Sequence, residues 1–257
     1  MKTMLKSVAV AVALSLSLGT AAAHSDDIAC DADFAYNIEI QDKGLSFFSK
    51  DQEKVLITSS SELFLDGQKQ LLSPQQLELL DEYNHRVREL LPLASGVAEE
   101  ASAIAIEAVG SVTAALLHDN PDKAEEFVAR VETISAELKQ HISSTHLRPE
   151  ALVDYVESSD FEAEFESLIE TAVTEFMENN VGQMIAAAMS GNEEKVKAFE
   201  QRMESFGKDL EDKMERRAEQ LELQAEKLCD LVENIDQTET QLVKAFDKFD
   251  SYQLITK

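Results

Sequence analysis

The sequence predicts a predominantly helical α+β fold: a small N-terminal antiparallel β-meander packed on an elongated multi-helix bundle. Three observations predict it. Residues 34–72 alternate apolar and polar positions and include an Asp66-Gly67 turn signal, as half-buried strands do. From Ser73 onward the apolar residues recur every three or four positions, the period of a helix. Residues 193–235 hold no proline and a single glycine, Gly207, and carry one apolar stripe. Hydrophobic residues make up 44% of the 257, too many for a disordered chain despite a formal charge of −27. That acidic field repels phosphate backbones and anionic headgroups, which argues against direct nucleic-acid binding.

The first 23 residues read as a signal peptide: Lys2 and Lys6, an apolar run from Val8 to Leu18, then Ala21-Ala22-Ala23. Cleavage is expected after Ala23. Ser25, Asp26 and Asp27 separate the apolar run from Cys30, which makes that cysteine a poor lipidation site. The most apolar later stretch, Leu93 to Leu117, contains Glu99, Glu100 and Glu107, each costly at mid-bilayer, so no stable membrane insertion is expected. An exported chain exposes its two cysteines, Cys30 and Cys229, to oxidation. Two thiols permit one intramolecular bridge, and that pairing is expected; the alternative is two separate buried thiols.

After the leader, residues 24–72 are expected to form the meander. Phe34, Tyr36, Ile38 and Ile40 alternate; Leu45 to Phe48, Val55 to Thr58 and Leu63 to Leu65 follow, with a returning strand at Gln70 to Leu72. Residues 73–257 are expected to be helical, and 24–257 to form one folding unit. Ser73, Pro74 and Gln76 make a capping-box helix start. Leu77, Leu80, Val87 and Leu91 then share a stripe, which Pro92 is expected to kink or end. Residues 93–118, rich in alanine, read as a central buried helix. Residues 121–147 read as a helix with Phe127, Val131, Ile134, Leu138 and Ile142 inward, broken at Arg148-Pro149. A short helix at 150–158 and another at 161–179 follow, then an apolar run from Val181 to Met189. The long helix, 193–235, would span roughly 65 Å at about 1.5 Å per residue. Its stripe changes step between Leu210 and Leu221, where Lys213, Arg217 and Gln220 replace apolar residues. The least burial is therefore expected at 211–220, with packed ends and an elongated molecule. A last amphipathic segment is expected at Glu239 to Phe249.

The chain resembles the YggN-like proteins, an uncharacterised family exported to the periplasm of Gram-negative bacteria. The resemblance rests on Cys30, the run Leu63-Phe64-Leu65-Asp66-Gly67, the helix start Leu72-Ser73, the run from Tyr83 through Val87-Arg88 to Leu91-Pro92, Phe206-Gly207-Lys208-Asp209-Leu210 and Cys229. It covers nearly the whole mature chain and implies a periplasmic location. It implies no reaction, cofactor or catalytic residue.

Few residues point to chemistry. Glu82-x-x-His85 has the spacing of a di-metal bundle ligand pair, but the second such pair is missing; a solvated helix face is the simpler reading. His141 and His146, on one helix, would point about 140° apart. No zincin, EF-hand, P-loop or nucleophile-elbow pattern occurs, and no catalytic, metal or cofactor residue is assigned. Tyr83 and Arg88 are the candidate interaction or structural residues. Arg88 suits either an anion or partner carboxylate, or an internal acid that holds helices together. The leading function is a non-enzymatic interaction or chaperone-like protein whose partner is a protein or unfolded polypeptide. The alternatives are a hydrolase or metal-dependent enzyme with a site between sheet and bundle, and a binder of apolar small ligands.

Overall fold

The structure, a computed structural model, describes residue 30 and residues 32–116, 121–176, 189 and 193–256. The leader expected at 1–23, with its cleavage after Ala23, lies outside these residues. So does the apolar run from Val181, apart from Met189. The architecture is α+β: an antiparallel sheet packed against a multi-helix region.

The strands are β1 (Asp33–Phe34), β2 (Asn37–Gln41), β3 (Gly44–Ser49), β4 (Gln52–Thr58), β5 (Leu63–Leu65) and β6 (Gln68–Lys69). Helices α1 (Pro74–Leu116) and α2 (Pro121–Lys139) follow, then β7 (Ile142–Ser143) and β8 (His146–Leu147). Next come α3 (Pro149–Val156), α4 (Ser159–Phe176) and α5 (Glu193–Ala245). A 3₁₀ turn (Asp247–Tyr252) and β9 (Ile255–Thr256) end the described residues.

The chain forms two compact units. The first takes the described residues of Met1–Gly96, His141–Val153 and Glu222–Lys257. Its larger sheet has the order β6-β5-β4-β3-β2-β8-β7, and β1 pairs with β9 in a second sheet. Alternation explains the register. Ile38, Phe47, Val55 and Leu65 lie side by side across four strands, and Ile40, Leu45, Ile57 and Leu63 form the next row. These rows are the buried face. Leu80, Tyr83, Val87, Leu90 and Leu91 of α1 pack against it, with Val232, Ile235 and Leu242 of α5 and Phe249, Leu254 and Ile255 beyond. Asp66 (φ 45°) and Gly67 (φ 74°) make the expected tight turn between β5 and β6. Gly44, at φ +150°, has no room for a side chain: a Cβ there would lie 2.1 Å from the Ile57 carbonyl oxygen. The capping box is present, with the Ser73 N–H donating to Gln76 Oε1 at 2.8 Å and the Gln76 N–H to Ser73 Oγ at 3.4 Å. Gln76 Nε2 also donates to the Ala245 carbonyl at 2.6 Å, satisfying an end carbonyl of α5.

Several expectations are corrected. The 121–147 helix ends at Lys139, and Ile142 to Leu147 form a hairpin that joins the sheet beside β2. Ile142 and Leu147 continue the buried row through Ile38, which outweighs a helical period that only just reaches them. The returning strand is Gln68–Lys69, placed by the two-residue Asp66-Gly67 turn rather than by Leu71 and Leu72. Pro92 does not end α1. It lies on an exposed face, where its missing N–H bond costs least. The long helix continues through Gly207 and past residue 235 to Ala245, absorbing most of the segment expected to be separate.

The second unit comprises the described residues of Val97–Gln140 and Asp154–Leu221. Phe127 and Val131 of α2 and Leu168 of α4 form its buried centre, with Ala105, Ile106, Val109 and Ala124 packed around them. The α1 stretch expected to be most buried is instead half-exposed almost throughout: beyond Gly96 only Thr113 is buried among the described side chains. Alanine buries little area per residue, and the glutamates of this stretch keep one face polar. Among the described residues no helix is long and apolar enough to cross a membrane.

Candidate functional site

The most unusual polar centre lies in the first unit, on α1 and α5. Tyr83 sits in the apolar series of α1 and is fully buried. Its ring meets Phe47 edge-on at 6.2 Å and Phe249 edge-on at 5.7 Å, and Tyr36 stacks on Phe47 at 6.2 Å. These aromatic contacts fix the ring so that its hydroxyl has one destination. It donates to Glu239 Oε1 at 2.6 Å. Glu239 takes an apolar position of α5, between Ile235 and Leu242, and is 0% exposed. Its carboxylate also accepts the N–H of Leu254 at 2.7 Å and of Ile255 at 3.1 Å. A buried charge requires such partners.

Burial pushes the Glu239 carboxyl above the ordinary range, opposed by the Leu254 N–H, the Tyr83 hydroxyl and the Ile255 N–H; Asp236 adds to the rise. Burial also raises Tyr83 well above the usual phenol value, and the Glu239 charge adds to it. A carboxylate with no solvent exposure and three protein donors serves the fold, as an anchor for residues 254 and 255. An acid at i+4 from Ile235 and i−3 from Leu242 is a legible signal of this role, and the sequence reading passed over it.

The other singled-out residues fall as follows. Arg88 is half-buried, and its Nε donates to Asn84 Oδ1 at 3.0 Å. The link between helices is made two residues earlier by Arg86, which pairs with Glu82 at 2.6 Å and donates to the Asn234 carbonyl at 3.2 Å. His85 lies 3.3 Å from Glu89. Glu82 and His85 thus face different neighbours. Cys30 and Cys229 form a disulfide with Cα atoms 5.2 Å apart, tying the start of β1 to α5.

The outer face of the sheet carries a polar row, because β7, β8 and β2 place Ser143, His146 and Glu39 side by side. Ser143 Oγ lies 2.8 Å from His146 Nδ1 and accepts the N–H groups of Thr145 and His146, each at 3.2 Å. That is a turn-capping hydroxyl. Arg148 donates to Glu39 Oε1 and Gln41 to Oε2, each at 2.9 Å. Burial alone would raise the Glu39 carboxyl, but these hydrogen bonds outweigh it and hold it below the ordinary value. His146 was expected on a helix beside His141; it lies on a strand.

In the second unit, Arg217 of α5 bridges Glu100, at 2.6 Å, and Glu107 of α1, while Lys213 also pairs with Glu107. The hydrogen bonds from Lys213 and then Arg217 hold Glu107 low. These cations occupy the stripe where the apolar step changes, so residues 211–220 are partly covered by ion pairs. From Glu193 to Leu221 no residue of α5 is buried. Val196, Phe199, Met203, Phe206, Leu210 and Met214 are all half-exposed. A shallow depression of about 360 Å³ lies between α1 and α2, lined by Gly110, Thr113, Ala124, Glu125, Val128, Ala129 and Glu132. Among the described residues no three His, Cys, Asp or Glu side chains group as a metal site requires.

No curated protein and no solved structure matches this chain. One family, described as "Protein of unknown function (DUF2884)", matches residues 30–255, from the first bridged cysteine to the last strand. The match spans the sheet, the anchored Glu239 and both cysteines, and the chain belongs to that family.

Proposed function

We propose that the protein is a non-enzymatic interaction or chaperone-like protein of the periplasm, YggN-like in kind, that takes unfolded polypeptide along α5. The observation that carries this reading is the half-exposed stripe of α5 from Val196 to Met214, in which no side chain is buried. Phenylalanine, methionine and leucine at helical spacing offer adaptable apolar contact, and Met in particular tolerates varied partners. A formal charge of −27 favours a client that is apolar and basic. Export is supported by the charged, apolar and small-residue order of residues 1–23, and by the disulfide, which suits an oxidising compartment. The carboxylate held above its ordinary range, Glu239, is sealed from solvent, which favours the interaction reading over the enzyme one.

The test is suppression of aggregation of reduced hen lysozyme, an unfolded basic client, by the purified protein. Near-stoichiometric suppression is expected, with loss in a Phe199→Ser/Phe206→Ser variant of unchanged circular dichroism. Reduced α-lactalbumin, which is acidic, should be protected less. No suppression, or suppression untouched by the double substitution, would overturn the reading.

A further inference from the structure

We propose that the Cys30–Cys229 disulfide is a redox-sensitive clasp on the C-terminal strand: a dithiol donor that reduces it releases β9 and uncovers the Tyr83–Glu239 pair. Strand β9 has no large partner of its own. On one side it pairs only with β1, through Asp33↔Thr256 and Phe34↔Ile255, extended by the Ala35 N–H donating to the Leu254 carbonyl at 2.8 Å. On the other it is held by Glu239, which accepts the N–H of Leu254 and of Ile255. A two-stranded pairing of two residues each is marginal in isolation. Its position depends on β1, and β1 begins three residues after Cys30. The Cys30 carbonyl accepts the Ala32 N–H at 2.8 Å, so the turn into β1 starts at the bridged residue itself. Cys229 lies on α5, ten residues before Glu239, so the same helix holds β9 twice: indirectly, through the disulfide to Cys30 and the hydrogen bonds of β1, and directly by a carboxylate. Both bridged residues are half-exposed, open to an incoming thiolate.

The chemistry balances with a dithiol as reductant. One donor thiolate attacks a sulfur of the bridge, the Sγ–Sγ bond breaks, and the departing cysteine takes a proton. The second donor thiol attacks the mixed disulfide and frees the other cysteine. Two electrons and two protons end on Cys30 and Cys229, and the donor leaves as a disulfide. With β1 untethered, β9 loses its only strand partner and keeps the Glu239 contacts and the core packing of Leu254 and Ile255. Its departure opens the buried carboxylate and the Tyr83 hydroxyl to solvent.

Hydrogen exchange read by mass spectrometry tests this on the full chain, oxidised and after dithiothreitol. On reduction, amides at 32–35 and 253–256 are expected to exchange at least about tenfold faster, while those of α1 at 80–91 keep their protection. A Cys30→Ser/Cys229→Ser variant should match the reduced protein. In oxidised Glu239→Ala, amides at 253–256 should open with the bridge intact. Equal protection in oxidised and reduced protein would overturn the proposal, as would loss of α1 protection together with the tail, which marks a staple of the whole unit. Persistent tail protection in Glu239→Ala would remove the carboxylate from the clasp.

Discussion

A buried carboxylate with a raised pKa makes Glu239 a source of pH dependence opposite to that of the surface acids. Its folded state binds a proton more tightly than the unfolded chain, so its contribution to stability grows as pH falls from the raised value towards the ordinary 4.5. Glu39, Asp66 and Glu107 work the other way. Their folded values are depressed, so their contributions are present above the ordinary values and are lost as pH falls through the depressed ones. Glu239→Gln keeps an acceptor for the Tyr83 hydroxyl and the Leu254 N–H but cannot titrate. The melting temperature of the variant relative to the wild type should therefore be highest near neutral pH and fall as pH approaches 4.5. A constant difference across that window would mean that Glu239 titrates as an ordinary carboxyl. This residue was open to sequence reading as an acid within an apolar series. Its partners were not, because the N–H groups of Leu254 and Ile255 are brought to it by a chain reversal that no periodicity encodes.

Helix α5 shows what pattern reading captures and where it stops. Its start at Glu193, its passage through Gly207 and its single apolar stripe followed from spacing and the absence of proline, but the packed N-terminal end expected of it is not there: no residue from Glu193 to Leu221 is buried, so burial is not least at 211–220. Its continuation to Ala245 was masked by polar residues at 236–241; of these Thr238 and Glu239 are buried and bonded within the core. The β7–β8 hairpin was missed for a different reason. Two-residue strands are too short to show alternation, and only their pairing with Ile38 and Glu39 makes them strands. Gly207 offers a clean test of the helix. A Cβ there meets nothing within 4 Å, and the position is interior to α5. Gly207→Ala should stabilise the protein by about 0.5–1 kcal/mol through helix propensity alone, measured by urea unfolding with an unchanged slope. A loss of stability would show that the helix does not run straight through this residue in solution.

For the molecule as a whole, charge is the dominant stress. A formal charge of −27 repels itself, and α3 and α4 contain no lysine or arginine at all. The ion pairs that oppose it, such as Arg217 with Glu100 and Lys54 with Asp66, are partly exposed and screened by salt. Repulsion extends over many more pairs than these, so raising sodium chloride from about 10 mM to about 150 mM, which shortens the screening length to roughly 8 Å, should raise the melting temperature. A fall would show that the specific pairs outweigh the general field. The chain segments that build the first unit lie far apart, and their order has a temporal meaning. The last of strands β2 to β5 emerges from the ribosome some 170 residues before Val232 and Ile235, the α5 side chains that help cover them. At about 5–20 residues per second, the row of Ile38, Phe47, Val55 and Leu65 waits roughly 10–30 s for that share of its cover. A nascent chain in this interval presents an apolar sheet face, shielded at most by α1, to whatever holdase meets it first.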